Sequence, residues 1–398
     1  MLEKPSTKLL LVVIILLIFH NSNQILQTLS FDQTVVNPCP KCCFTDSNRP
    51  FINRSVPHEE KILVPLFDID QENQLLGMRE AIFFAQQLNR TLSIPPFFKK
   101  IVLAQSVERL SMPQDIILDS ERLKESGVKT LDWKLLANTC AGKFDQFFVV
   151  NQNFNCRVTR RDLWDKFLRL INFNFDKNPY PKVNKDGKCG IENSLPVLKS
   201  KNYIAKSGKN IIEDFQTDAK CVLLAYPFEN IDFLSIINSE RKNASDDYQE
   251  LNRTVSAVQI PEFIKKKVSE RLTREEIADF TCIEWRKRAS IRDIKNFKAK
   301  IEENLLFVKN PDKIDDSALS KIFNEFNLQN HIVIQILQNI SNCTEFTNHS
   351  EVLKNLIEHE ICRRSKKFVL TEKSAFAKNF LIENEFEKSK VEILTVSK

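Results

Sequence analysis

Residues 73–97 read NQLLGMREAIFFAQQLNRTLSIPPF, and an apolar run at 62–67 precedes them. That run predicts a buried strand, and Asn73 can cap the helix that follows it. The apolar residues within the helix recur at helical spacing, which marks a buried face. These residues are Leu75, Met78, Ile82, Ala85 and Leu88. Asn89 suits the left-handed turn that ends the helix, and the run 91–94 predicts a second strand that two prolines stop.

A strand–helix–strand unit of this kind is the building block of a parallel sheet covered by helices. The loop 68–73 connects the carboxyl end of the first strand to the start of the helix. Anionic ligands bind at such positions because free backbone N–H groups and the positive end of the helix dipole point outward. A well-packed unit that binds nothing explains the same spacing.

Length and composition describe a folded protein of about two domains. The chain has 398 residues, 42% hydrophobic and 28% charged, with a formal net charge of +6. A net charge this small, spread along the chain, gives no reason to expect nucleic-acid binding. With 6 glycines and neither GxGxxG nor GxxxxGK[ST], the sequence offers no glycine-rich phosphate loop.

The first residues carry a targeting signal. Lys4 and Lys8 precede an unbroken apolar run at 9–19, which fits the central region of a signal peptide. The run is shorter than the about 20 residues that cross a bilayer. Residues 1–24 are therefore interpreted as a cleaved signal peptide or as an uncleaved signal anchor. An anchor would make the chain a single-pass type II membrane protein with a lumenal body.

Cysteines and glycosylation acceptors agree with a secretory route. The chain has 10 cysteines, an even number, and N-x-S/T acceptors at Asn53, Asn89, Asn243, Asn252, Asn339, Asn342 and Asn348. Together with the leader they predict the oxidising lumen of the endoplasmic reticulum or Golgi. Residues 25–60 are interpreted as a stem that contains the cluster CPKCC at 39–43, where disulfides are favoured over zinc.

The run LNRTL at 88–92, with Asn73 and Gln74 before it and prolines after it, resembles the first motif of the GDP-fucose protein O-fucosyltransferase family. The family has glycines before its Asn-Gln pair, whereas this chain has Gln71 and Glu72. Bulky side chains therefore stand where the family's backbone approaches a sugar nucleotide.

A second motif, FTCIEWR at 280–286, predicts a buried strand that ends at Arg286. An arginine at the carboxyl end of a parallel strand points into the ligand crevice and can bind a diphosphate with two hydrogen bonds. An arginine in a solvated basic run is the alternative. The motif resembles the His-x-Arg signature of the same family, with Glu284 at the histidine position, and a carboxylate there would repel a diphosphate.

A third motif follows a predicted helix at 352–364 and a predicted strand at 367–370. Ser374 can cap the next helix, whose first N–H groups would face an anion. The segment resembles the family's Ser-Ser-Phe turn, which holds donor phosphate and base. Ala375 lacks the second hydroxyl and Phe376 fits. A capping serine without any ligand is the alternative.

Other segments give local predictions. Strands are expected at 147–150 and 221–226, and helices at 164–175 and 260–272. The segment 99–134 is expected to hold mixed helices and loops, with a short element at 116–119, and 239–249 is expected to be an exposed insertion. A Cys140–Cys156 bridge would stabilise the chain by about 3 kcal/mol. The resemblance is consistent with a disulfide here, although the pairing stays open.

The resemblance covers about residues 61–385 and implies an α/β, GT-B-like fold with two Rossmann-like domains facing across a cleft. The acceptor-side domain would be 61–230, the donor-binding domain 231–385, and 386–398 a tail. The implied reaction is inverting transfer of fucose from GDP-fucose to a Ser or Thr hydroxyl of a secretory-pathway protein. The rival interpretation is a catalytically inactive lumenal binding protein on the same scaffold.

The implied site has two catalytic residues, Arg286 for the leaving diphosphate and Asn73 for positioning. The implied donor-binding residues are Gln74, Glu284, Ser374, Ala375 and Phe376. No cofactor is expected beyond GDP-fucose as donor substrate, and no partner is expected among nucleic acids. No metal is expected either: the 5 histidines lack ligand spacing, and the DID run at 68–70 is a common pattern.

Overall fold

The computed structural model describes residues 60–67, 71–102, 107–112, 114, 117–149, 161–178, 197–199, 208–225, 227, 231–240, 246–274, 277–284, 306–309, 350–370, 374–387 and 391–395. All of them belong to one compact unit, residues 47–398. Arg286 and Cys156, together with the leader and stem, lie outside the described residues.

The first sheet has six parallel strands in the order β5-β2-β1-β8-β6-β7. The strands are β1 Ile62–Leu66, β2 Thr91–Ile94, β5 Thr130–Asp132, β6 Gln146–Val149, β7 Val197–Lys199 and β8 Cys221–Ala225. The strands predicted at 62–67, 91–94, 147–150 and 221–226 are thereby confirmed, with each end within one residue of the prediction. The central strands are buried throughout, as expected of a parallel sheet covered on both faces.

The second sheet has four parallel strands in the order β10-β9-β11-β12. They are β9 Thr281–Glu284, β10 Leu306–Lys309, β11 Lys367–Leu370 and β12 Glu392–Thr395. The strand predicted at 367–370 is confirmed. Strand β12 lies in the segment expected to be a tail, and it pairs with β11 along its whole length. Charged residues around Ile393 and Leu394 make the strand pattern hard to detect in the sequence, although β12 forms one edge of the sheet.

The helices that cover the sheets are α1 Gln71–Gln87, α2 Ser120–Glu125, α3 Leu136–Thr139, α4 Arg161–Leu170, α5 Gly208–Phe215, α6 Phe233–Glu240, α7 Asp246–Ala257, α8 Glu262–Arg274, α9 Ser350–Arg363 and α10 Ala375–Glu387. Helix α4 ends earlier than predicted because Asn172 takes a positive φ of 56°, a conformation that terminates helices. Helix α7 begins within the last part of the expected insertion, at Asp246, and Leu251 and Val255 just beyond the insertion are buried one turn apart.

Residues 97–112 depart from the prediction of mixed helices and loops. They contain an antiparallel hairpin, β3 Phe97–Val102 and β4 Val107–Met112. Lysines and arginines interrupt the apolar alternation of both strands, so the pattern is weak in the sequence. Of the short element expected at 116–119, Ile117 to Asp119 form a turn, and Asp119 caps α2.

Each sheet is joined to a helix by a disulfide. Cys140, which follows α3, pairs with Cys221 of β8, and Cys282 of β9 pairs with Cys362 of α9. The Cys140–Cys156 pairing considered from the sequence is therefore wrong. Cys140 pairs with a cysteine 81 residues away, because β8, which begins at Cys221, lies beside β6 in the sheet.

Within the described residues, no helix is both long and apolar enough to cross a membrane.

Candidate functional site

The chain reverses its direction of travel across the first sheet between β1 and β8. From β1 it proceeds outward through β2 and β5. It then crosses to β6 and β7 on the other side of β1 and returns to β8, which lies between β1 and β6. Ligands of open α/β folds bind at the carboxyl ends of strands beside such a switch point. Helix α1 starts at Gln71, five residues after the end of β1 at Leu66. The geometry therefore places the start of α1 at a candidate half-site.

The start of α1 packs closely against the strand ends. A Cβ atom on Gly77 would lie 2.0 Å from the carbonyl oxygen of Pro227, just beyond β8, and 3.2 Å from the ring of Phe67. Only glycine permits this approach. The helix begins at Gln71, so Asn73 lies in its first turn rather than at the predicted cap. Gln71 and Glu72 are both good helix formers, which favours the earlier start.

Gln74 clamps the backbone of the hairpin. Its side chain donates through Nε2 to the carbonyl oxygen of Phe98 at 2.7 Å, and its Oε1 accepts from the N–H of Phe98 at 3.2 Å. The residue is 1% exposed. Both ends of the amide are thus used to fix β3 against α1. The donor-binding role of Gln74 and the catalytic role of Asn73 stay predictions.

The second sheet has its switch point between β9 and β11. The chain moves outward from β9 to β10 and from β11 to β12 in the opposite direction. Glu284 ends β9 and is in register with Leu370, which ends β11. Ser374 then precedes α10. Two of the predicted site residues therefore meet at the position where an α/β sheet binds ligands.

Glu284 and Ser374 are in direct contact. The hydroxyl of Ser374 lies 2.9 Å from both carboxylate oxygens of Glu284, to which it donates. The same hydroxyl oxygen accepts the N–H of Ala377 at 2.8 Å, which confirms the predicted cap. Glu284 is fully buried. The chain thus places its own carboxylate at the start of α10, the positive end of the helix dipole.

The remaining predicted site residues are Ala375, Phe376 and Arg286. Ala375 is the first residue of α10. Phe376 is fully buried, and its ring packs edge-on against the rings of His359 and Phe368. Phe376 is thus part of the core in this structure. Arg286 lies outside the described residues, two positions along the chain from the end of β9.

Sequence reasoning missed a buried ionic network between the two sheets. Arg79 of α1 donates to the side chains of Asn379 and Glu383 on α10, and to the carbonyl oxygen of Val258 at 3.0 Å. The second carboxylate oxygen of Glu383 lies 2.8 Å from Nε2 of His359 on α9. The side chains of Arg79 and Glu383 are 2% and 9% exposed. Four helices or helix ends meet at this network.

Burial by itself raises the pKa of the Glu383 carboxyl, because it disfavours the charged form. The charges of His359 and Arg79, and their hydrogen bonds, act in the opposite direction and outweigh burial. The pKa is therefore held well below its ordinary value, and Glu383 is ionised at any physiological pH.

A signal for this network exists in the sequence. Arg79 lies four residues after Leu75 and three before Ile82, so a charge interrupts the apolar stripe of α1. Glu383 likewise follows Phe376 and Phe380 at helical spacing. Charges at core positions are rare unless they are paired.

A cavity of about 370 Å³ lies at the amino-terminal ends of strands in the first sheet, opposite to the carboxyl ends that form the switch point. It lies at the end of α1 and the starts of β2 and β5, between Asn89, Lys129 and Arg253. Arg90 of the LNRTL run borders it, and its guanidinium donates to the carbonyl oxygens of Thr217 and Ala219, both at 2.9 Å. Burial lowers the pKa of Arg90 to about 10.

Two parallel sheets, each with a helix starting at its switch point, define a GT-B-like α/β protein, and the predicted fold class is confirmed. The chain is similar to the crystal structure of POFUT1 in complex with GDP-fucose, with a TM-score of 0.53 and 11% sequence identity over 86% of this chain and 100% of that chain. The sequence resemblance to fucosyltransferases is thus matched by the fold.

A weaker similarity is to the NodZ alpha-1,6-fucosyltransferase soaked with GDP-fucose, with a TM-score of 0.39 and 11% identity over 81% of this chain and 92% of that chain. No protein-family model matches the sequence, and no curated protein matches it.

Proposed function

We propose that the protein is a glycosyltransferase that uses GDP-fucose as donor and transfers fucose to a Ser or Thr hydroxyl of a protein in the endoplasmic reticulum or Golgi lumen. The observation that carries the proposal is the start of α10, capped by Ser374 at the second switch point, on a fold similar to that of POFUT1 crystallised with GDP-fucose.

The proposed reaction is a single displacement with inversion. The acceptor hydroxyl oxygen attacks C1 of fucose while the bond from C1 to the diphosphate oxygen breaks. GDP leaves with the bonding electrons, and its diphosphate takes up the hydroxyl proton. The main difficulty is the negative charge that develops on the departing diphosphate. In the proposal Arg286 stabilises this charge, because its guanidinium stays protonated and can donate two parallel hydrogen bonds.

The two helix starts would bind the donor phosphates and position the reacting groups. The backbone N–H groups at the start of α10 would face the donor phosphates, with Ser374 fixing the cap. Asn73, in the first turn of α1, would position the acceptor or the sugar. Orientation alone contributes several kcal/mol to such reactions, of the order of 7–11 kcal/mol in well-aligned systems.

A non-catalytic binding protein on the same scaffold is the second candidate, and one contact favours it. The hydroxyl of Ser374 is already bonded to the buried carboxylate of Glu284. A second anion at the start of α10 would meet this negative charge at close range. In the catalytic proposal, Arg286 and the helix N–H groups must outweigh it.

Thermal unfolding of the full chain with millimolar GDP, UDP or ADP separates the candidates. A ligand that binds only the folded state at 100 times its Kd stabilises it by about 2.7 kcal/mol. We expect GDP to raise the Tm more than UDP or ADP. The variant Arg286→Ala should abolish the shift, whereas Arg288→Ala, which removes a neighbouring charge of the same basic run, should retain most of it.

Absence of a GDP shift, with a normal Tm for the unliganded protein, would favour the binding protein. A larger shift with UDP or ADP would show that the donor is assigned wrongly.

A further inference from the structure

The network around Arg79 joins the two helices that start at the two switch points. Arg79 lies eight residues after the first residue of α1, and Glu383 lies eight residues after the first residue of α10. At 1.5 Å per residue, each helix start is about 12 Å along its axis from the link. The two helices also pack directly against one another.

The link fixes an orientation as well as a distance. A guanidinium is a rigid planar fork, and that of Arg79 meets acceptors from Val258, Asn379 and Glu383. Glu383 is held in turn by His359 through its other oxygen. All these side chains are almost completely buried, so water does not compete for the hydrogen bonds and the side chains lose their rotational freedom.

We propose that Arg79 is a positioning residue, which holds the start of α1 and the start of α10 in one fixed relation through Asn379 and Glu383. In terms of the proposed function, on which this role rests, it aligns the acceptor-side and donor-side halves of the site. Arg79 itself lies two turns from either half-site and touches neither substrate.

A buried ionic contact is a more specific link than apolar packing. Replacing such a pair with apolar residues of similar size is often neutral for stability, whereas removing one partner is strongly destabilising. Stability and positioning can therefore be separated by substituting both partners together.

Arg90 provides a matched control. It is also a buried arginine, 3% exposed, but its guanidinium donates to backbone carbonyls at the base of the first sheet alone. The variant Arg90→Met should destabilise the protein without affecting the relation between the sheets.

The test is backbone hydrogen exchange of the full chain for Arg79→Met, Arg79→Lys, Arg90→Met and Arg79→Met/Glu383→Leu, with urea unfolding in parallel. In Arg79→Met we expect amides of 74–80 and 376–383 to exchange at least tenfold faster together. In Arg90→Met the amides of 376–383 should keep their wild-type rates relative to the rest of the second sheet. The lysine variant should recover part of the urea midpoint and less than half of the protection.

The double variant decides between a positioning and a purely structural role, and it serves if Arg79→Met does not fold. We expect its urea midpoint to return most of the way to wild type while exchange at both helix starts stays fast. Restoration of both properties, or faster exchange in α1 with α10 unchanged, would overturn the proposal.

The link to the site is measured by GDP titration of the same variants. We expect the double variant to bind GDP at least fivefold more weakly than wild type at equal stability; unchanged GDP affinity would show that Arg79 does not align the site. If wild type binds no GDP, the proposed function fails, and the exchange experiment still judges Arg79 as the link between the helices.

Discussion

The two halves of the molecule follow the same plan but differ in how they hold the helices that start at their switch points. Each half has a parallel sheet, a disulfide between a strand and a helix, and a helix that starts at the switch point. Near the start of α1 a neutral amide, Gln74, clamps a neutral backbone. At the start of α10 a carboxylate, Glu284, bonds the capping serine. Similar scaffolds thus hold their helix starts with different groups, a neutral amide in one half and a carboxylate in the other, and the carboxylate lies where an anionic donor is proposed to bind.

The largest predicted effect tests whether the disulfides of the two halves contribute equally to stability. The two disulfides close loops with sequence separations of 81 and 80 residues. In the chain-entropy model each contributes about 4.5 kcal/mol. We expect Cys140→Ala/Cys221→Ala and Cys282→Ala/Cys362→Ala to lower the free energy of unfolding in urea by similar amounts. A loss in one pair below half of that in the other would break the equivalence.

The clamp near α1 is the next test. The substitution Gln74→Leu leaves the N–H and carbonyl of Phe98 buried without that partner, and each such group costs about 1–3 kcal/mol. We expect a loss of about 3 kcal/mol in the free energy of unfolding. Gln87→Leu, a half-buried position of the last turn of the same helix, should change it by less than about 0.5 kcal/mol. Equal losses would show that the clamp is not responsible.

The junction between the halves should respond to acid. Because the folded-state pKa of Glu383 is depressed, its contribution to stability is fully present above the ordinary value of 4.5 and is lost as the pH falls below it. Wild type should therefore lose stability more steeply below pH 4.5 than Glu383→Gln, when urea unfolding is followed at a series of pH values. Parallel curves for the two proteins would contradict the ion pair.

The carboxylate at α10 gives the smallest and most specific effect. Removing its charge with Glu284→Gln should strengthen GDP binding about tenfold, equivalent to about 1.4 kcal/mol. Glu270→Gln, which removes an exposed carboxylate on α8, should leave the affinity unchanged. Titration calorimetry measures both. Weaker binding by Glu284→Gln would show that the carboxylate supports the ligand instead of repelling it.

The sequence predicts the parallel units well, because apolar strands and a helical stripe are local patterns. The LNRTL run also predicts the fold, although its structural reason emerges only in the structure: Arg90 binds carbonyls next to β8, more than a hundred residues away. The sequence leaves the disulfide partner of Cys140 open and predicts a tail where β12 lies, since both features depend on which strands become neighbours. The partners of Arg79 are about 300 residues distant, so only the interrupted stripe pointed to them.

Glu284 shows both the value and the limit of motif reasoning. The sequence draws attention to Glu284 because it stands where the resembled family has a histidine, and the resemblance predicts a donor diphosphate nearby. The contact with Ser374 joins two motifs that are 90 residues apart, and no spacing rule predicts it. Such a contact is set by the order of the strands in the sheet.

The most direct measurement of the central claim is a crystal structure of the full chain with saturating GDP. The account predicts the diphosphate at the β9–β11 switch point, within hydrogen-bond distance of the first N–H groups of α10 or of the Ser374 hydroxyl. A diphosphate bound in the cavity near Arg253, or no bound GDP at all, would contradict it.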